Sequence, residues 1–275
     1  MKLSASTFVY YRYPLDEAIR RMASLGYEGV ELWGGRPHAY CEDMNERKIG
    51  ELRRLMADMN ISISNFIPAQ FRYPVNIAAL EPDMRTASVE YLKRSIDTAA
   101  ALGAPSVSLC PGYSLYGQGR ERAWQAMLES MRILCSYAKD LPLDLLLEPG
   151  NRHETDLVIT IEDGLRAISD LGEPMGLCVD TGHCFVNGEA LSDVVSLVRG
   201  VTCHYHIDDN NGLTDDHIVP GDGKMQYELF LRSLSFSGYS GFLAVELGFQ
   251  YTADPDVAVK RSADFIRKAL GEITC

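Results

Sequence analysis

The sequence lacks the features that mark secreted and membrane proteins. Its seven cysteines are an odd number and form no Cys-x-x-Cys pair, which favours free thiols in a reducing compartment over a disulfide framework. No apolar run approaches the length of a membrane span, and the first residues lack the charged-then-apolar pattern of a secretory signal. We therefore expect a cytoplasmic protein with no membrane partner.

Positive charge is also scarce in this sequence. The chain has 26 lysines and arginines against 38 aspartates and glutamates, so its formal net charge is -12. A nucleic-acid partner requires basic surface that replaces the counterions along the phosphate backbone. The composition therefore predicts no nucleic-acid partner, and it suits a soluble protein that acts on neutral or cationic small molecules.

No linker, low-complexity tract or charge run divides the chain, and strand-like and helix-like segments alternate from end to end. Strands are predicted over residues 3–9, 27–33, 61–67 and 106–110, and four more end at residues 148, 180, 206 and 246. Helices are predicted over residues 14–25, 45–59, 85–102, around 124–134 and 255–270. Such alternation predicts a parallel sheet in an α/β protein. Eight repeats in 275 residues predict a closed (β/α)8 TIM barrel, as one domain over residues 1–275.

The last four predicted strands each end in a group that can bind a metal ion. Each is an apolar run that stops at Glu148, Asp180, His206 or Glu246. Because the parallel strands of a barrel end at the same edge, we expect these four side chains to form one site. Three carboxylates at one point would repel one another without a cation, and with an imidazole they form a mostly hard ligand set. The pattern predicts a site for Mn²⁺, Mg²⁺ or Co²⁺.

The alternation of side chains along a strand places another layer beneath this group. His204 lies two residues before His206 and shares its face, so we expect it in the barrel interior as a neighbour of the ligands rather than as a ligand. Glu31 lies near the end of the second predicted strand. We expect it to be a local salt-bridge partner, because its sequence neighbours offer no other ligand type.

The loops that follow the fifth and sixth strands add two polar candidates. Glu154 and His183 are expected to bind substrate hydroxyls beside the metal, because binding residues concentrate on loops at this end of a barrel. The alternatives are a solvated charge for Glu154 and a capping imidazole for His183. The glycine-rich segment 220–224 leads into no phosphate-binding fingerprint, so we expect a structural loop that closes over the site.

Five short motifs accompany these strand ends. They are E-P-x-N-R-x-E at 148–154, D-T-G-H at 180–183, H-x-H-x-x-D at 204–209, P-G-x-G at 220–223, and G-Y-x-G followed by V-E at 238–246. In this combination the chain resembles the xylose-isomerase-like superfamily of sugar isomerases and epimerases, over essentially its whole length. Residues 33–39 and 215–225 resemble, within that superfamily, the branch of fructoselysine and ketose 3-epimerases.

The resemblance implies a metal-dependent reaction at the predicted site. A divalent ion, most often Mn²⁺ or Co²⁺ with Mg²⁺, Zn²⁺ and Ni²⁺ as alternatives, would be held by Glu148, Asp180, His206 and Glu246. Glu148 and Glu246 would also be catalytic, exchanging protons with the substrate from opposite faces. The implied reaction inverts C3 of a ketose or a fructosamine through a metal-bound enediolate.

The substrate contacts are less defined by the motifs. We expect them from Glu154, His183 and His217, with a small sugar as the partner and a homo-oligomer as the assembly. Ketose 3-epimerases that act on free sugars carry an arginine a few residues after the metal-binding histidine, and residues 206–212 contain none. The region instead carries four acidic residues, Asp208, Asp209, Asp215 and Asp216. They suit an amine near C1 of the substrate, as in a fructosamine, or they are a solvated acidic loop.

Other functions stay open on the sequence. The same four ligands would serve an aldose–ketose isomerase or an inosose dehydratase. A nuclease like AP endonuclease IV shares ligands at Asp215, His217 and His183, but it needs further histidines that residues 67–70 and 110–113 lack. A catalytically silent sugar-binding barrel is the last alternative, and the intact set of four ligands argues against it.

Overall fold

Parallel strands close into a barrel in the computed structural model, which describes residues 1–70 and 74–274. The strands are β1 (Lys2–Ser6), β2 (Gly29–Gly34), β3 (Ser62–Pro68), β4 (Ser106–Leu109), β5 (Asp144–Leu147), β6 (Gly176–Asp180), β7 (Cys203–Ile207) and β8 (Phe242–Val245). Consecutive strands pair in parallel, and β8 pairs with β1 to close the ring. This architecture is the TIM barrel that the alternating segments predict.

Helices surround the barrel and bury their apolar faces. Their bounds are α1 (Leu15–Ser24), α2 (Glu46–Asp58), α3 (Pro82–Leu102), α4 (Arg120–Ala138), α5 (Ile161–Leu171), α6 (Thr181–Asn187), α7 (Leu191–Leu197), α8 (Tyr227–Phe236) and α9 (Pro255–Thr274). In α1 the buried residues are Leu15, Ala18, Ile19 and Met22, whose spacing forms one stripe along the helix. A continuous hydrophobic cluster joins such stripes to the apolar side chains of the strands.

The end of β1 and the start of α3 differ from the sequence prediction, each for a local reason. β1 ends at Ser6 rather than at residue 9, because the Ser6 hydroxyl accepts a hydrogen bond from the amide of Phe8 and caps a short 3-10 helix (Thr7–Tyr10). α3 begins at Pro82 rather than at residue 85. Its first amides are capped by the carboxylate of Glu81, and proline is favoured in the first helical turn.

The barrel interior beneath the strand ends is polar. Glu31 on β2, Asn65 on β3, Ser108 on β4 and His204 on β7 are all buried there. The Asn65 amide donates to Ser108 Oγ at 2.8 Å and to Glu31 Oε2 at 3.1 Å. Branched apolar side chains usually fill the interior of such a barrel. A connected layer of polar side chains in the barrel interior therefore departs from the usual apolar packing of this fold.

Thiols and helices bear on the expectations drawn from composition. In the described part of the chain the cysteines at positions 41, 110, 135, 178, 184 and 203 are free thiols, and Cys275 lies outside it. Among the helices built from those same residues, none combines the length and the apolar character that crossing a membrane requires.

Candidate active site

The structure brings the four predicted strand-end groups together. Asp180 is the last residue of β6 and pairs with His206 on β7, while Glu148 and Glu246 directly follow β5 and β8. His206 Nδ1 lies 2.9 Å from Glu148 Oε1, 2.8 Å from Glu246 Oε2 and 3.5 Å from Asp180 Oδ2. One ligand atom from each residue lies within 4.8 Å of the others. We call these four residues the tetrad.

The electrostatics of the tetrad centre on His206. Burial by itself would lower the pKa of His206, but the acidic groups around it raise that pKa well above its usual value. These groups are Cys178, Glu31, Glu246 and Glu148. Burial also opposes the ionisation of Asp180, yet His183 and His206 lower the pKa of Asp180 to about 2. The protonated His206 imidazole therefore helps to compensate the negative charge of the carboxylates around it.

The tetrad meets the requirements of a divalent metal site. Asp180 Oδ2 is buried and has no hydrogen-bond partner among the described residues, although buried carboxylate oxygens are normally paired. The set of three carboxylates and one imidazole offers mainly oxygen ligands, and no thiolate belongs to it. A divalent cation would satisfy the unpaired oxygen and take over the charge compensation that His206 provides.

A second polar group lies beside the tetrad and contains the predicted substrate contacts. His183 Nε2 lies 3.0 Å from Asp215 Oδ2 and 3.5 Å from Glu154 Oε2. His217 Nε2 lies 3.0 Å from the same Asp215 oxygen, and His217 Nδ1 lies 2.7 Å from Asp208 Oδ2. The structure thus brings Glu154, His183 and His217 together, and their contact with substrate stays a prediction. Asp208 and Asp215 are members that reasoning from strand ends did not reveal.

The position of His183 excludes one of its two interpretations. The backbone amide of His183 donates to Asp180 Oδ1 at 2.9 Å and thereby caps α6, so the cap does not use the imidazole. The ring instead donates from Nδ1 to the carbonyl of Pro149 at 3.0 Å. Its Nε2 therefore faces Asp215 and the cavity, where a substrate hydroxyl can reach it.

His217 is held in an unusual backbone conformation. Its φ angle is 43°, in the left-handed region that residues other than glycine rarely adopt. Its ring bridges Asp208, whose side chain is fully buried, and Asp215. Burial and the neighbouring Asp180 raise the pKa of Asp208 well above its usual value. The surrounding structure therefore fixes this imidazole at the edge of the site.

Asp209 has a structural role that sequence reasoning did not assign. It is fully buried, and its carboxylate accepts hydrogen bonds from the amides of Gly221 at 2.9 Å, Gly223 at 3.1 Å and Met225 at 3.1 Å. These amides are already hydrogen-bonded to the Asp209 carboxylate. This agrees with the prediction that segment 220–224 is a structural loop rather than a phosphate-binding site. The interpretation of Asp208 and Asp209 as solvated loop charges is wrong, because both side chains are buried.

Glu31 corrects another expectation. Rather than a local salt bridge, it makes contacts across the barrel, with Oε2 at 2.8 Å from His206 Nε2 and 2.9 Å from His204 Nε2. Burial opposes ionisation of this carboxyl group, yet the two imidazoles lower the pKa of Glu31 below its usual value. The signal in the sequence was a carboxylate between the apolar residues Val30 and Leu32 of a strand.

A cavity of about 840 Å³ opens above the tetrad. Glu148, Glu246, Glu154, His183 and His217 line its floor and one side. Its outer part includes an aromatic group in which the rings of Phe8 and Trp33 lie 5.2 Å apart and those of Phe8 and Phe249 lie 4.8 Å apart. The cavity thus has a charged floor and an apolar outer wall.

The chain as a whole is similar to known proteins. Residues 19–269 match the xylose isomerase-like TIM barrel family. The chain belongs to this family. A fructoselysine 3-epimerase of Shigella flexneri is 30% identical over 273 residues, which cover 99% of each chain. The family assignment confirms the resemblance seen in the motifs, and the chain is an enzyme of the isomerase class.

Solved structures support the fold independently. A D-tagatose 3-epimerase-like protein superposes with a TM-score of 0.85 at 21% identity, covering 100% of this chain and 98% of that one. An L-ribulose 3-epimerase superposes with a TM-score of 0.85 at 19% identity, covering 99% and 95% of the two chains. At these identities the superpositions establish the barrel fold alone.

Proposed function

We propose that this enzyme is a divalent-metal-dependent sugar epimerase that inverts C3 of a ketose or a fructosamine. The observation that carries the proposal is the placement of two glutamates on either side of the candidate metal site. In strand order Glu148 and Glu246 flank the pair formed by Asp180 and His206, and each glutamate reaches His206 Nδ1 within 2.9 Å. The similarity to a fructoselysine 3-epimerase supports the same reaction.

The proposed mechanism assigns a task to each group. The metal, most often Mn²⁺ or Co²⁺ in our expectation, would polarise the substrate carbonyl and so acidify the neighbouring C–H bond. One tetrad glutamate removes the C3 proton, and the other delivers a proton to the opposite face. Asp180 and His206 would hold the metal without exchanging protons with carbon. Glu154, His183 and His217 bind the substrate hydroxyls and fix the orientation of C3.

The cavity favours a substrate larger than a free sugar. A volume of about 840 Å³ lies in the range of sites for drug-sized ligands, so it holds a ketose with room for a substituent. Of the four acidic residues after His206, only Asp215 and Asp216 line the cavity in the described structure. Both would attract a protonated amine, and the apolar outer wall would contact the chain attached to it. These features support a fructosamine over a free ketose.

Isotope exchange tests the reaction directly. In D2O with Mn²⁺, we expect the enzyme to introduce deuterium at C3 of fructoselysine with inversion, because the proton is lost to and returned by exchangeable carboxyl groups. NMR of the recovered sugar measures both position and configuration. D-Psicose is the matched substrate without an amine. Exchange at C1 without change at C3 would assign the enzyme to the aldose–ketose isomerases instead.

Asp216 provides a test of the substrate class. Asp216→Asn should lower kcat/KM for a fructosamine by roughly fivefold, because a partly exposed ion pair contributes up to about 1 kcal/mol. A neutral ketose should be affected much less. Steady-state kinetics on both substrates measure the ratio, and Asp193→Asn on α7 serves as an acidic surface control. An equal loss on both substrates would contradict an amine-binding role for Asp216.

The second polar group is the one observation that favours the nuclease alternative. His183, Asp215 and His217 place potential ligand atoms within 4.8 Å of one another, as a second metal would require. However, Gln70 and Cys110 line the cavity where that group of enzymes requires further histidines. We therefore expect no cleavage of a duplex with an abasic site. The cytoplasmic location, the homo-oligomeric state and the absence of a nucleic-acid partner stay predictions.

A further inference from the structure

We propose that Glu31 is a positioning residue that orients His206 for metal binding. Its carboxylate accepts the hydrogen bond of Nε2, so that Nδ1 is left to face the three carboxylates of the tetrad. This inference rests on the proposed metal function, and it adds a residue that none of the sequence motifs contains. Glu31 would not touch the substrate or the metal.

The geometry at His206 supports the assignment. The two ring nitrogens face different partners, since Nδ1 lies within 2.9 Å of Glu148 and Glu246, whereas Nε2 lies 2.8 Å from Glu31 Oε2. A neutral imidazole carries one N–H, and the hydrogen bond at one nitrogen selects which nitrogen holds the lone pair. An acceptor at Nε2 therefore places the lone pair at Nδ1, where the metal would bind. Histidine ligands commonly rely on such a carboxylate partner.

The contact is built across the barrel rather than between neighbours. Glu31 is on β2 and His206 is on β7, and these two strands do not pair in the barrel. The β2–β3 register shifts between Val30 and Glu31, so that Glu31 stands opposite Asn65. Such irregularities redirect side chains near functional sites. The shift thus places the carboxylate beside a donor that helps to hold it.

A polar network holds Glu31 from below. The Asn65 amide donates to Glu31 Oε2 at 3.1 Å and to Ser108 Oγ at 2.8 Å, and the Ser106 hydroxyl donates to Asn65 Oδ1 at 2.7 Å. Every member of the network is buried. A buried carboxylate costs stability relative to a well-packed apolar side chain unless its partners compensate for lost hydration. The network therefore provides a fixed anionic acceptor at the position that His206 requires.

Metal affinity tests the inference without relying on activity. Glu31→Leu should weaken Mn²⁺ binding by roughly 10- to 100-fold, the usual effect of removing the partner of a ligating histidine. Glu31→Gln keeps an oxygen that can accept from Nε2, so its affinity should be intermediate. His204→Phe removes the other imidazole from Glu31 but leaves the bond to His206, so its affinity should stay close to that of the wild type. Isothermal titration calorimetry measures all four proteins.

The ring nitrogens give a second readout that a general loss of stability would not change. With ¹⁵N-labelled histidine and diamagnetic Zn²⁺, the wild-type NMR spectrum should show His206 protonated at Nε2. In Zn²⁺-loaded Glu31→Gln the hydrogen bond from Nε2 should weaken, which shifts the Nε2 resonance. Wild-type Mn²⁺ affinity in folded Glu31→Leu would overturn the inference. Should the leucine variant not fold, wild-type Mn²⁺ affinity in Glu31→Gln together with an unchanged His206 spectrum would overturn it.

Two variants distinguish an incorrect role for Glu31 from an incorrect metal site. His206→Asn removes the ligand itself and should abolish tight Mn²⁺ binding. If His206→Asn binds Mn²⁺ as well as the wild type, then the metal site is wrong and Glu31 has no ligand to position. If His206→Asn loses binding and Glu31→Leu does not, then the metal site stands and only the role of Glu31 is excluded.

Discussion

Replacing either tetrad glutamate should stop inversion at C3 while leaving exchange of one epimer. In Glu246→Gln, Glu148 can still remove a proton from its own face and return deuterium to that face, so one epimer gains deuterium with its configuration retained. In Glu148→Gln the other epimer should gain deuterium with its configuration retained. The rate of inversion should fall by roughly a hundredfold to ten-thousandfold in each variant, the usual contribution of a positioned acid or base.

The two variants control for each other. Glutamine keeps an amide oxygen that can bind a metal, so Mn²⁺ content measured by atomic emission should stay near stoichiometric in both. NMR of substrates incubated in D2O follows deuterium at C3 of each epimer separately. Exchange of the same epimer by both variants, or inversion by Glu246→Gln at the wild-type rate, would exclude catalysis by two glutamates from opposite faces.

Metal binding should release a proton and strengthen as the pH rises. The acidic groups around His206 hold its pKa well above the usual value despite burial, so in the metal-free protein both ring nitrogens carry protons at neutral pH. A metal at Nδ1 must displace one of them. A raised pKa therefore means stronger competition at low pH, and affinity for Mn²⁺ should increase by about tenfold per pH unit while the imidazolium predominates.

Calorimetry in buffers of different ionisation enthalpy measures this proton directly. The apparent enthalpy of Mn²⁺ binding at pH 7 should vary with the buffer with a slope close to one proton. His206→Asn is the matched control, because it lacks the proton to be displaced and should show no such slope in any residual binding. A wild-type affinity that is constant between pH 6 and pH 8 would show that metal binding does not displace a proton from His206.

The positions of the tetrad residues could be predicted from the sequence for a simple geometric reason. Parallel strands end at one edge, so Glu148, Asp180, His206 and Glu246 only had to be recognised as strand ends to be placed together. In the structure Asp180 pairs with His206 across β6 and β7. Errors of several residues in strand bounds, as at β1, did not affect this result, because the ligands mark the ends themselves.

Contacts across the barrel and within loops could not be predicted in the same way. Glu31 reaches His206 through the lumen, and no spacing along the chain encodes which strands face each other at a given depth. Asp208 and Asp215 meet through His217, whose left-handed backbone conformation has no signature in its sequence neighbours. The sequence shows that residues 208–216 are rich in aspartate. Which of these carboxylates are buried, which bind the loop backbone and which line the cavity depends on how the loop folds.

The loop after β7 is closed at its base by paired backbone hydrogen bonds. The amide of Asp209 donates to the carbonyl of Ile218 and the amide of Ile218 to that of Asp209, both at 2.9 Å, while the Asp209 side chain secures the following turn. The exposed tip, with Leu213, lies outside this closure. Insertions and substitutions at the tip should therefore leave the catalytic floor intact, which makes it the segment where evolution or engineering can change the accepted sugar conjugate independently of the chemistry.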